Sequence, residues 1–69
     1  MKQPKTIPEL VAMIRVRLGD VPAHYIAIRA AGTQDWTAQM NGSEDVVAAY
    51  QPRLEAICAD LRRRYSLAL

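Results

Sequence analysis

The chain has one cysteine, Cys58, three glycines and no phenylalanine. A single cysteine cannot form an intramolecular disulfide, so the chain is not a disulfide-stapled secreted mini-protein. The sequence also lacks a signal-peptide core at its N-terminus and any apolar run near the ~20 residues that a membrane span needs. We therefore expect a cytoplasmic protein that does not enter a membrane.

An excess of charge of one sign is also missing. Nine Lys or Arg stand against seven Asp or Glu, which gives a formal net charge of +2, and dedicated nucleic-acid binders concentrate more positive charge on one face. Arginine dominates over lysine and alanine is abundant, as is typical of a GC-rich bacterial genome. With 51% hydrophobic residues in 69, the composition predicts one small folded domain with much of its surface in water.

The first predicted helix begins after Thr6. Thr6 and Glu9 fit a capping box, and apolar residues then recur at helical spacing. Gly19 is well placed as the left-handed residue that ends the helix. The pattern predicts a helix over about 7–18, preceded by a disordered N-terminal tail over 1–5.

After Pro22 the apolar period changes from 3.6 to 2, which predicts an antiparallel hairpin with strands at about 24–30 and 36–40. The apolar residues of the two strands share one face only if the numbers of paired residues sum to an even number. That condition requires an odd loop length, of three or five residues, unless a bulge resets the phase. We expect the five-residue loop, with Ile28 opposite Ala38.

Ser43 caps a second predicted helix over about 43–65, with acidic residues in its first turn. Pro52 lies inside this helix, so either the helix breaks there or one helix bends. The apolar stripe keeps its phase across Pro52, which itself projects to the solvent side, and this favours one bent helix. Residues 66–69, SLAL, form a C-terminal tail that either frays or packs on another element.

The predicted fold is therefore α+β, one small α-β-β-α domain with both helices packed on one face of a two-stranded antiparallel hairpin. Such a hairpin leaves two unpaired edges and one uncovered face. The predicted core consists of Leu10, Val11, Ile14, Leu18, Ile26, Ile28, Trp36, Met40, Val47, Tyr50, Leu54, Ile57 and Leu61.

Two groups of residues outside this core are candidates for contacts with other molecules. On the outer sheet face and the exposed side of the first helix, the candidate interaction surface comprises Met13, Val16, Tyr25, Arg29, Thr37 and Gln39. On the second helix, the candidate phosphate contacts are Arg53, Arg62, Arg63 and Arg64. Cations at a helix C-terminus also complement the helix dipole, and Asp60 can pair with the arginine at i+4, which explains these cations without a ligand.

Residues suited to catalysis or metal binding are few. His24 is the only histidine, and together with Cys58 it falls short of the three or four ligands that zinc needs. A Cys–His nucleophilic pair would need a third group to orient it, and capping explains Glu44 and Asp45. We predict no catalytic, cofactor-binding or metal-binding residues and a protein that is not an enzyme.

The order of the predicted elements resembles the double-stranded RNA-binding domain in part, with Pro22 and Tyr25 leading into the first strand. That family has three strands and a basic loop before its last helix. Here Met40 leads through a short turn into an acidic helix start, so the sequence does not identify a family.

The function that the sequence favours is a small non-catalytic protein-interaction domain, which binds itself or an unknown protein through the hairpin edges. The alternative is a weak nucleic-acid-binding module that uses the outer sheet face and the arginines of the second helix. The sequence indicates no cofactor, no metal and no membrane partner.

Overall fold

The computed structural model describes residues 2–33 and 35–68. In chain order the elements are β1 (Gln3–Lys5), α1 (Ile7–Leu18), a short 3-10 helix (Ala23–Tyr25), β2 (Ile26–Ala31), β3 (Asp35–Met40), α2 (Glu44–Arg64) and β4 (Tyr65–Leu67). The α+β class and the central order helix–strand–strand–helix are confirmed. A short strand is added at each end.

The capping box at the start of α1 is confirmed. The Thr6 N–H donates to Glu9 Oε1 (2.9 Å), and the Glu9 N–H donates to Thr6 Oγ1 (3.3 Å). The hydrogen bond from the Thr6 backbone N–H, followed by the contribution of the Thr6 side chain, holds the pKa of the Glu9 carboxyl below its usual value. Gly19, with φ +122°, ends the helix and its N–H donates to Arg15 O, so the predicted bounds of this helix hold.

The hairpin has the predicted register, with Ile28 opposite Ala38. Its loop is odd in length, as the shared apolar face demands, but it is shorter than expected. Ala31 and Asp35 form one more pair of the ladder, so the five-residue loop is wrong and only positions 32–34 connect the strands. Because each added pair completes main-chain hydrogen bonds, the ladder extends as far as the turn allows.

The first strand of the hairpin begins later than predicted. His24 and Tyr25 lie in the 3-10 helix, where the Tyr25 N–H donates to Pro22 O (3.0 Å). That local hydrogen bond replaces a ladder bond, so β2 starts at Ile26.

The second helix runs as one element from Glu44 to Arg64 with Pro52 inside it, and Ser43 Oγ accepts the Val46 N–H (3.4 Å). The continuous helix is therefore confirmed against a break, whereas its bend stays a prediction. Pro52 is exposed, so it lies on the solvent side of the helix as predicted. Neither helix in the described part of the chain is long and apolar enough to cross a membrane.

The structure corrects the predicted N-terminal tail at Gln3–Lys5, which form β1 and pair in parallel with β4. The Ala68 N–H donates to Lys5 O (2.8 Å), and Leu67 is only 3% exposed. Residues 66–68 of the SLAL segment thus pack on the domain, whereas Leu69 lies outside the described residues. A strand this short has no periodic signal of its own, and it forms because its partner strand is fixed by burial.

The core lies between the inner face of the hairpin and the two helices, with α2 on β3 and α1 against α2. Trp36 is fully buried at its centre, and its indole N–H donates to Tyr65 O (3.2 Å). Five predicted core residues are only half-buried, namely Val11, Ile28, Val47, Tyr50 and Ile57. Four buried residues were not in the predicted core, namely Val21, Cys58, Ser66 and Leu67.

Candidate functional site

The two edges of the hairpin follow from its hydrogen-bond alternation. The Asn41 N–H donates to Tyr25 O (2.7 Å), which makes the next pair, Ile26 with Met40, a non-hydrogen-bonded pair. From that pair onward, every second residue directs its N–H and C=O away from the hairpin. On β2 the outward residues are Ile26, Ile28 and Ala30, and on β3 they are Trp36, Ala38 and Met40.

The outer edge of β3 is closed by side chains. The Met40 N–H donates to Gln51 Oε1 of α2 (3.0 Å), and the Trp36 N–H donates to Asp35 Oδ1 (2.8 Å). Only Ala38 lies between these two capped positions. A strand that approached this edge would first have to displace both side chains, and this protects the edge from pairing.

The outer edge of β2 is open. The Ile26 N–H donates to Ala23 O of the 3-10 helix, but no hydrogen bond from outside the hairpin reaches Ile28 or Ala30 among the described residues. Ile28 is half-buried and Ala30 is exposed. Two consecutive outward residues therefore offer their N–H and C=O groups to an added strand, which is the geometry of β-augmentation. We call Ile28 and Ala30 the open edge.

The outer sheet face carries three of the six residues of the predicted interaction surface. Arg29 and Thr37 are paired across the strands, and both are exposed, as is Gln39. Tyr25, predicted for this face, instead lies half-buried in the 3-10 helix and packs against the core, with its ring edge-on to His24 at 4.7 Å between centroids.

The two remaining members of that predicted surface lie elsewhere, on α1. Met13 is half-buried and packs against the core. Val16 is 86% exposed, beside an open depression that Ala12 and Gly19 also line. The structure thus does not bring these two residues together with the sheet residues.

The arginines predicted as phosphate contacts converge on Asp60. Asp60 Oδ1 accepts from Arg63 Nη2 (2.9 Å) and lies 3.8 Å from Arg64 Nε, while Asp60 Oδ2 accepts from Arg17 Nη1 of α1 (2.6 Å). The hydrogen bond from Arg17 is the main cause that lowers the pKa of the Asp60 carboxyl. The predicted pair with Arg64 is present, and the stronger link to α1 was not predicted.

The other two candidate cations do not add to a phosphate site. Arg53 lies over the Tyr50 ring, 6.0 Å from its centroid, and Arg62 is half-buried. With Arg63 and Arg64 shared with one carboxylate, the C-terminal part of α2 presents less free positive charge than its sequence indicates.

Cys58 and His24 lie in different environments, one buried and the other exposed. Cys58 is 2% exposed, and burial raises the pKa of its thiol to about 11, so the thiolate that reacts is scarce at neutral pH. His24 is exposed in the 3-10 helix. Across residues 2–33 and 35–68, no group of three His, Cys, Asp or Glu side chains is placed to hold a metal ion.

The sequence predicted free edges for the hairpin but did not predict that they differ. The difference depends on Gln51, which reaches from α2 to Met40, eleven positions back in the chain. A glutamine next to an apolar helical stripe is the only local sign of that contact. Its partner is set by how α2 packs on β3.

The chain was compared with protein-family models, with curated proteins and with solved structures, and no match was found in any of the three comparisons.

Proposed function

We propose that this protein is a small non-catalytic protein-interaction domain that takes up an extended protein strand on the open edge of β2. The observation that carries the proposal is the contrast between the two hairpin edges. On β3 the edge is closed by Asp35 and Gln51. On β2, Ile28 and Ala30 keep their outward groups available.

The binding free energy expected for such a strand corresponds to weak affinity. Each net hydrogen bond contributes about 0.5–1.5 kcal/mol, and the two open residues offer a few of them. Association costs at least about 4 kcal/mol in lost translational and rotational freedom. The half-buried Ile28 side chain must therefore be covered as well, and the expected contact is reversible.

Amide NMR of the labelled protein, titrated with a short peptide of alternating threonine and valine, tests the proposal. We expect the Ile28 and Ala30 amides to shift and to exchange more slowly with solvent as the peptide adds to β2. Shifts that cluster on α1 or on the outer sheet face instead would overturn the proposal, as would their absence up to millimolar peptide at protein concentrations where the chain is monomeric.

Proline substitution supplies a matched pair of variants. Ala30→Pro removes an outward N–H and costs the hairpin no ladder bond, so it should abolish peptide binding. Ala38→Pro makes the same change on the edge of β3 and should leave binding intact. Amide spectra of both variants establish first that each remains folded.

A further inference from the structure

We infer that the strand seated on the open edge is β2 of a second copy of this chain, antiparallel to the first, with Ile28 opposite Ile28 of the partner subunit. This inference rests on the proposed function and names its partner. A two-fold axis perpendicular to the sheet generates the arrangement and places the helices of both copies on the same side.

The open edge restricts the register. Residues that direct their N–H and C=O outward must meet as hydrogen-bonded pairs. Two symmetric registers engage both open residues: one pairs Ile28 with itself across the axis, and the other pairs Ile28 with Ala30 of the partner subunit. Because the Ile26 N–H is already bound to Ala23 O, the two registers form the same number of main-chain hydrogen bonds.

The charge on Arg29 decides between them. In the second register the axis passes beside Arg29, which then faces the identical arginine directly, and like charges in that position destabilise a sheet. In the register centred on Ile28, Arg29 instead faces Ala27 of the partner subunit. On the inner face this register continues the apolar surface of Ile26 and Ile28 across the axis.

The closed edge of β3 explains why assembly stops at two copies. Pairing through β2 gives a four-stranded sheet whose outer strands are both β3. Those edges are the ones capped by Asp35 and Gln51, so neither end templates a further strand. An open edge on one strand and a capped edge on the other is what a closed dimer requires, whereas two open edges would give a fibre.

A charge added opposite Arg29 tests the register. Ala27→Glu places a carboxylate against Arg29 of the partner subunit at two symmetric positions, so we expect the dimer dissociation constant to fall roughly 2- to 30-fold at low salt. Gln39→Glu adds the same charge to the same face on β3, away from the axis, and should change it less than about 2-fold. Sedimentation velocity over a range of concentrations measures both.

Cysteine pairing tests the geometry directly. In the proposed register positions 27 and 29 of opposite chains form a non-hydrogen-bonded pair, about 4.5 Å apart at Cα, which is within reach of a disulfide. Ala27→Cys mixed with Arg29→Cys should therefore cross-link under mild oxidation, whereas either variant alone should not. Wild-type protein is the control for the buried Cys58.

The outcomes separate this inference from the proposed function. If the chain stays monomeric up to millimolar concentration while the peptide still adds to β2, the homodimer is wrong and the strand-binding edge stands. If Arg29→Cys cross-links to itself, the register is wrong. If neither peptide nor second copy engages β2, both proposals fail.

Discussion

At the scale of single residues, the Asp60 carboxylate, whose side chain is 25% exposed, makes three ion pairs. It belongs to α2, yet the shortest of its three ion pairs is to Arg17 of α1. The carboxylate therefore links the two helices across the surface, besides complementing the positive C-terminal turn of its own helix.

Asp60→Asn should lower the thermal midpoint at neutral pH, and the gap from wild type should close in acid. A carboxyl whose folded pKa is lowered stabilises the fold above its unfolded pKa, about 3.9, and that contribution is lost as pH falls through the lower folded value. Thermal unfolding followed by circular dichroism from neutral pH to about pH 2 measures this. Asp20→Asn, at an exposed residue, is the control, and an equal effect of both variants would contradict the assignment.

At the scale of elements, α2 contains the main departure from local preference. Pro52 lacks the N–H that would bond to the Ala48 carbonyl, and its ring crowds that oxygen. The helix persists because its apolar stripe packs on both sides of the proline. Val47 and Tyr50 pack against the core before it, and the buried residues follow it, namely Leu54, Cys58 and Leu61. Tertiary packing thus overrides an interruption that propensity alone would make a helix end.

Pro52→Ala should raise the free energy of unfolding by about 1–3 kcal/mol, since it restores a hydrogen bond at an exposed position. Urea denaturation measures the change. Pro8→Ala in the first turn of α1, where a missing donor costs little, should change it by less than about 0.5 kcal/mol. No gain at Pro52 would contradict the cost assigned to the proline in this helix.

The edge of β3 is the second feature at this scale, because its protection comes from two side chains. Removing both caps, Asp35→Ala with Gln51→Ala, should speed amide exchange at Trp36 and Met40 and should produce species larger than a dimer. Hydrogen exchange and light scattering report the two effects. Gln39→Ala removes an exposed side chain from the same strand and should do neither. A double variant that keeps slow exchange at both amides would contradict the assigned caps.

At the scale of the whole molecule, strands from the two ends of the described chain pair with each other. β1 and β4 pair near the two ends of the described chain, and the Trp36 indole bonds to Tyr65 O at the start of β4. A domain of this size buries little surface, so a contact that adds Leu67 to the core contributes a large share of its stability.

Leu67→Ala should destabilise the domain by about 2–5 kcal/mol, as expected for truncation of a fully buried leucine. Ile7→Ala truncates an aliphatic side chain that is 44% exposed and should cost clearly less. Chemical denaturation of both variants gives the comparison. A cost near zero at Leu67 would mean that the C-terminal segment frays in solution.

The sequence by itself determined the elements that carry a local pattern. The capping box at Thr6, the helical stripes and the alternation after Pro22 are contacts between near neighbours, so their spacing can be read directly. The parity of the apolar residues also restricted the register to pairs whose numbers sum to an even number, as Ile28 with Ala38 does, because a slip by one residue would turn the apolar set away from the core.

Only the tertiary structure decided the features that join distant parts of the chain. The pairing of β1 with β4, the salt bridge from Arg17 to Asp60 and the cap of Gln51 on Met40 each depend on where packing places two elements. Such contacts leave no period in the sequence, since each involves only one or a few residues from each side. The contrast between the open edge of β2 and the closed edge of β3 is of this kind, and it is the feature on which the proposed function depends.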